Sequence, residues 1–337
     1  MNKRQKLAIV LADNRPGNNN QAQAVAKEIT NNVVTITLDY NFLINLPNFI
    51  RQKFSSPKLA GFTSESFKQL TTLKKQPDFI VSAGRRLAWA NIYLKQQYQK
   101  CFNIHLMRPG LKHNLFDLLI IPEHDNPKEA SNVMTMMGSP SIEDTALYDE
   151  SIKHWQPSWP KDKNKTIAIL IGGNSRQAQF DNGVFAQQIS ALVQYADAHN
   201  YHIVAVTSRR TNYEQIAILQ HVFDGTHQLH FYHPSNTEPN IYYAMLKLAP
   251  IIAVTGDSVG MVSEAINQLH SIPILLLPTR YTNKLSDFFC KIDDREYATL
   301  MSNNKEFEYI TNIITKKYKK PEPWNKILKQ KLKELGQ

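Results

Sequence analysis

The 337-residue chain has almost no cysteine: Cys101 and Cys290 stand far apart, with no CxxC and no histidine spacing beside either. A disulfide framework and a thiolate zinc site are thereby excluded. No apolar run approaches the eighteen or so residues of a membrane-spanning helix. Met1 to Lys6 leads into a strand-like stretch ending at Asp13, too short and too soon interrupted for a signal peptide, so a cytoplasmic protein is expected. G-x-G-x-x-G and GxxxxGK[ST] are both missing, which removes the dinucleotide and P-loop signatures. So is an Asp-x-Asp pair of the kind that holds a metal-bound sugar nucleotide. Asp293-Asp294 reads as part of a polar loop and the histidines are scattered, so neither a metal nor a cofactor is expected.

What is present is ordinary globular material: 42% hydrophobic and 20% charged residues exclude a disordered or fibrous chain. The length fits two domains better than one. A net charge of +10, from 39 basic and 29 acidic residues, favours acidic partners. Lys316, Lys317, Lys319 and Lys320 precede Pro321, and Lys326, Lys329, Lys331 and Lys333 follow it. They form either the solvated face of a terminal helix or a basic surface resting on anionic headgroups, at about 1 kcal/mol per lysine. The second reading would place the protein peripherally on the cytoplasmic face of an inner membrane. Nucleic acid is not an expected partner, for lack of any binding motif.

Strand-like and helix-like stretches alternate twice. In the first series 6–12, 33–38, 78–82, 103–107 and 117–121 read as strands, with helices over 21–30 and 85–97. The rhythm breaks between Asn126 and Asn164, among Pro127, Pro140, Pro157 and Pro160, and resumes at Thr166. The second series has strands over 166–171, 202–207, 228–232, 250–254 and 272–277, and helices over 180–199, 213–223, 240–248 and 258–269. Such alternation predicts an α/β protein of two Rossmann-like domains. The expected boundaries are 1–145, a linker over 146–164, 165–320, and a basic helix over 321–337 that can pack back on the first domain.

In open α/β sheets ligands bind beyond the carboxyl ends of the strands. The exits here are Asp13-Asn-Arg-Pro-Gly17, Ala83-Gly-Arg-Arg86, Pro122-Glu-His-Asp125, Gly172-Gly-Asn-Ser175, Thr207-Ser-Arg-Arg210 and Gly256-Asp-Ser-Val-Gly260. All are polar or glycine-rich. The last is the most informative: an apolar run ends in small residues, and a helix opens that carries Glu264. Exposed amides and the helix dipole favour a phosphate there, and the carboxylate can take the hydroxyls of an attached ribose. Asp257 and Ser258 are also ordinary N-cap residues, which would start a helix without a ligand.

As an ordered set these residues, with Asn18-Asn-Asn-Gln-Ala22, Phe116 to Ile121, Ile169 to Ile171 and Met261 to Ala265, resemble the mitochondrial-fission (elongated-mitochondria) family, which is similar to GT-B glycosyltransferases. Where that family has glycine and histidine in its first loop, this chain has Asn14 and Asn18. The resemblance implies two Rossmann-like domains facing a central cleft. It implies a glycosyltransferase moving a sugar from a nucleotide-activated donor to a lipid-linked or surface-glycan acceptor, such as lipopolysaccharide core, without a metal. The alternatives are a nucleotide-sugar epimerase of the same fold or a non-catalytic membrane-associated scaffold.

On this resemblance the second domain holds the donor. Gly172 and Gly173 would admit the donor to the backbone. Ser208, Arg209 and Arg210 would face the leaving diphosphate, Arg209 being slightly favoured, unless the arginines pair with Asp257. Asp257, Ser258, Val259 and Gly260 would hold the diphosphate and Glu264 the ribose. In the first domain Asp13 is the candidate general base, with Glu123 and His124 as the rival group. In extended chain, adjacent side chains there would point to opposite sides. Arg15, Gly17, Gln21, Gly84 and Arg85, with Arg86, would hold an anionic acceptor.

Overall fold

A computed structural model describes residues 5–47, 50, 61–73, 75–141, 145–175, 178–223, 225, 227–233, 235–268, 271–301 and 307–337. Runs such as Ala8-Ile-Val-Leu-Ala12 and Ile251-Ile-Ala-Val-Thr255 are buried at every position. Strands without an exposed face belong in parallel sheets covered by helices on both sides. Two compact units of that kind result, one from residues 1–142 and 322–337, the other from 143–321.

The first unit runs β1 (Ala8–Ala12), α1 (Pro16–Ile29), β2 (Val33–Thr37), α2 (Ser64–Thr71), β3 (Phe79–Ala83), α3 (Ala88–Gln97), β4 (Phe102–Leu106), β5 (Leu118–Pro122) and β6 (Val133–Met136). The strand order is β2-β1-β3-β4-β5-β6, all parallel. Val25 and Ala26 of α1 pack on one face with Val10 and Val81, and Leu70, Leu87 and Leu94 pack on the other with Ile9 and Leu11.

The second unit runs α4 (Thr145–Trp155), β7 (Thr166–Leu170), β8 (Ala178–Gln179), α5 (Asn182–His199), β9 (His202–Val206), α6 (Tyr213–Phe223), β10 (Gln228–His230), α7 (Ile241–Leu248), β11 (Ile251–Thr255), α8 (Val259–Ile266), β12 (Ile274–Leu277), β13 (Arg280–Tyr281), α9 (Asn283–Asp294), β14 (Thr299–Leu300) and α10 (Phe307–Thr315). Its parallel sheet has the order β10-β9-β7-β11-β12-β14, and β8 pairs with β13 in a separate antiparallel ribbon. The last helix, α11 (Trp324–Glu334), returns to the first unit and buries Leu328 in the core beside α1.

Several elements differ from the sequence reading. The stretch taken to break the rhythm contains β6, paired with β5, and α4, whose Ser151 and Trp155 bond to the chain around α7. β6 is only four residues long and α4 is largely polar, and tertiary packing rather than local pattern holds them. Part of the C-terminal lysine charge is paired: Lys326 with Glu322 at 3.0 Å, Lys329 with Glu28 at 2.6 Å and Lys331 with Glu334 at 3.2 Å. With Leu328 inward and these lysines outward, α11 is an amphipathic helix of the first unit. Among the described residues no helix is long and apolar enough to cross a membrane.

Candidate functional site

In the second sheet the chain order reverses between β7 and β11, and a ligand crevice opens at such a reversal. The two exits there are Gly172-Gly173 and Gly256 to Gly260, and they interlock. Thr255 donates to Asp257 at 2.7 Å and accepts from the Gly172 amide at 2.8 Å. The Gly173 amide donates to the second Asp257 oxygen at 3.1 Å. Arg210, from the β9 exit, places its guanidinium 2.6 Å from that same oxygen. Burial pushes the Asp257 carboxyl above its ordinary range, opposed by Arg210 and by these hydrogen bonds. A charge so deep is tolerated because it is paired and fully hydrogen-bonded.

The glycines are therefore explained by protein, not by a donor. A methyl on Gly172 would overlap the Asp257 carboxylate, and one on Gly173 would overlap the Arg210 backbone carbonyl. That corrects the expectation that they clear space for a ligand: the neighbouring exits fill the space. Similarly it is Arg210 that joins the cluster, while Arg209 is exposed. Ser208 is turned inward, accepting from the Arg210 amide at 3.2 Å.

Ser258 caps α8 by accepting from the Met261 amide at 3.4 Å. Gly260 has open space around it, its nearest neighbour being the Ser258 hydroxyl at 3.8 Å. Glu264 stands four residues further on, so the two positions share a helix face. The phenol of Tyr242, on α7, donates a hydrogen bond to Glu264. Burial raises the Glu264 carboxyl, and Tyr242 partly offsets this. Burial also raises the Tyr242 phenol, with the Glu264 charge adding to it.

In the first unit the chain order reverses between β1 and β3. Gly84 lies against the Asn18 side chain at φ +83°, a left-handed conformation for which this exit loop needs glycine. Asp13 is buried. One of its oxygens accepts from the Arg15 amide at 2.9 Å, the other from the Tyr40 phenol at 2.8 Å, and the Asn19 side chain holds its backbone at both ends. Arg86 bonds Asn45 at 3.0 Å and lies over the Tyr40 ring. Arg15, Gly17 and Arg85 are exposed and Gln21 is half-buried.

Glu123, His124 and Asp125 form a 3-10 turn and not extended chain, and the Arg108 guanidinium donates to the Asp125 carbonyl. The expectation that they point alternately to opposite sides therefore fails. Strands β3 and β4 lie between β1 and β5, which sets the Asp13 and His124 exits about 14 Å apart. One acceptor atom cannot meet both.

The sequence profile of the Mitochondrial fission ELM1 family matches residues 16–325. The chain belongs to that family. An uncharacterized protein of Rickettsia prowazekii (strain Madrid E) is 29% identical over 337 residues, spanning 89% of this chain and 93% of its own. The UDP-GlcNAc 2-epimerase from Neisseria meningitidis, bound to UDP-GlcNAc, superimposes with a TM-score of 0.59 at 16% identity, covering 98% of this chain and 99% of that one. The glycotransferase of kitacinnamycin superimposes at 0.53 with 11% identity over 99% and 95%. At these identities the likeness is one of fold, the GT-B type built from two Rossmann-like units.

Of the sequence-predicted residues of this ELM1-family chain, Gly172, Gly173, Arg210 and Asp257 come together, and Ser258 to Gly260 and Glu264 continue from them along α8. Sequence reasoning missed Thr255, Tyr242 and Tyr40, whose hydroxyls serve the carboxylates of Asp257, Glu264 and Asp13. Only Thr255 had a local signal, two residues before Asp257. It also missed the aromatic edge where Tyr213, Phe231 and Tyr232 are exposed at the β9 and β10 exits.

Proposed function

We propose that this ELM1-family protein is a glycosyltransferase that takes a nucleotide-activated sugar on its second unit and passes the sugar to an anionic lipid-linked or surface-glycan acceptor. One observation carries the reading. At the reversal of the second sheet an arginine anchored by a buried carboxylate adjoins an α-helix N-terminus, and the half-buried carboxylate of Glu264 stands on the Gly260 face of that same helix.

The chemistry follows from these groups. The α8 amides and Arg210 favour a diphosphate and would stabilise negative charge growing on it as the glycosidic bond breaks. Glu264 lies six residues beyond the cap, about 9 Å along the helix axis, a span suited to a diphosphate followed by a ribose. The exposed aromatics Tyr213, Phe231 and Tyr232 offer faces on which a base could stack. An acceptor hydroxyl needs a base. Buried Asp13 and the half-buried pair Glu123 and His124 are the candidates for that base. Arg15 and Arg85 suit phosphate or carboxylate groups on the acceptor. Such an acceptor would bring the protein to an anionic membrane surface on the cytoplasmic side.

The test is calorimetric titration with a panel of nucleotide sugars, followed by product analysis. Donor binding that Glu264→Ala abolishes, with sugar transferred only when an acceptor is present, is expected. Epimerised donor formed without acceptor would replace the transferase by an epimerase. Absence of any nucleotide binding would leave a scaffold.

A further inference from the structure

Tyr242 and Glu264 form a half-buried polar pair, and no structural need accounts for it. Phenylalanine at 242 and glutamine at 264 would fill the same space without a buried charge. Among the described residues the second Glu264 oxygen has no protein partner, while the first is held by the phenol. The phenol is itself fixed. Asn240 caps α7, accepting from the Tyr242 amide at 3.1 Å. Ser151 of α4 then inserts its hydroxyl into the first helical hydrogen bond: it donates to the Asn240 carbonyl at 2.8 Å and accepts from the Ala244 amide at 3.0 Å. Trp155 donates to the Pro239 carbonyl at 2.7 Å. Three side chains thus lock the turn that carries Tyr242, to a degree that a solvent-facing helix start does not require.

We propose that Tyr242 is a positioning residue that fixes one oxygen of Glu264 and leaves the other aimed at a ribose 2′-hydroxyl, so that the site selects ribonucleotides over 2′-deoxyribonucleotides. This rests on the nucleotide-sugar reading of the site. Without the phenol the carboxylate can rotate among rotamers, and a hydrogen bond to it loses its fixed geometry. The phenol remains a neutral donor throughout the working pH range, because burial holds its proton on.

The experiment measures dissociation constants of the full chain for UDP, GDP, ADP and CDP and for their 2′-deoxy forms. For the wild type the deoxy form of the preferred nucleotide binds about ten-fold or more weaker, as expected for loss of a hydrogen bond to a charged group. Tyr242→Phe brings that ratio down to within about three-fold, well under the value of one such bond. Glu264→Gln brings the ratio down as far, and the double variant brings it no lower. A wild-type ratio retained in Tyr242→Phe but lost in Glu264→Gln overturns the inference and leaves the donor site standing. Parallel weakening of both nucleotide forms in Tyr242→Phe marks a merely structural role and overturns it as well. If the wild type binds none of the nucleotides, the donor site itself fails and the inference with it. Should Tyr242→Phe not fold, Ser151→Ala carries the test by freeing the first turn of α7: a lowered ratio supports the inference and an unchanged one overturns it.

Discussion

Arg210 and Asp257 form an ion pair at 2.6 Å in which the aspartate side chain is fully buried and the arginine side chain is 32% exposed. Breaking it from one side strands a charge in the interior. Arg210→Ala is therefore expected to destabilise the second unit by about 1–3 kcal/mol, below the value for a fully buried pair because the arginine is partly solvated. Adding Asp257→Asn should restore part of that stability, since it removes the stranded charge and its single carbonyl oxygen can still accept from Gly173, while Thr255 can turn its hydroxyl to the Leu170 carbonyl 3.4 Å away. It should not restore nucleotide binding. Chemical denaturation and calorimetry on the single and double variants separate the two effects.

Gly260 lies in the first turn of α8 with open space beside it. Alanine there should stabilise the helix by up to about 1 kcal/mol. Leucine, also a good helix former, should keep the melting temperature while projecting along the Glu264 face, and should weaken nucleoside diphosphate binding about ten-fold or more, or 1.4 kcal/mol. A stable Gly260→Leu variant with wild-type binding would place the ligand elsewhere.

Glu264 is held above the ordinary carboxylate range by burial. The native state therefore keeps its proton to higher pH than the unfolded chain does. Its contribution to stability is fully present below the unfolded pKa and is lost as pH rises through the folded one. Glu264→Gln is accordingly expected to melt higher than the wild type at pH 7, with the gap closing as pH falls toward about 4. Thermal unfolding of both proteins across that range provides the check. A carboxylate whose replacement by glutamine stabilises the fold while weakening nucleotide binding is one retained for function.

The first unit has a separate acid sensitivity. His105 is fully buried on β4, its ring 2.7 Å from the Ser82 hydroxyl, and burial alone lowers it from 6.5 to about 3. The unfolded chain takes up this proton near pH 6.5 and the native state does not until about pH 3. Stability should thus fall through that window by about 1.4 kcal/mol per pH unit. His105→Gln, which can still reach Ser82, should flatten the slope. An equal slope in both proteins would assign the acid sensitivity to other groups.

The parallel sheets were legible because β1, β3, β5, β7, β9 and β11 are short apolar runs between helical patterns, a signal that burial on two faces imposes. The polar exits were legible for the same reason, since each strand ends abruptly in glycine or charge. What a ligand touches was less so. Gly172 and Gly173 read as openings for a donor, and in the fold they accommodate Asp257 and the Arg210 backbone. The phenols that orient Glu264 and Asp13 come from Tyr242 and Tyr40, 22 and 27 residues away. Neither partnership follows any local periodicity, because each is made by tertiary packing. The helix α4 and strand β6 were hidden likewise among prolines and polar residues.

The central claim is that the α8 N-terminus, Arg210 and Glu264 together form a nucleotide-sugar site. Isothermal titration of the full chain with a panel of nucleotide sugars tests it most directly. The account predicts saturable 1:1 binding of at least one of them, lost in Glu264→Ala while the fold is retained. Binding that is unchanged in Glu264→Ala, or no binding at all by the folded wild type, would contradict it.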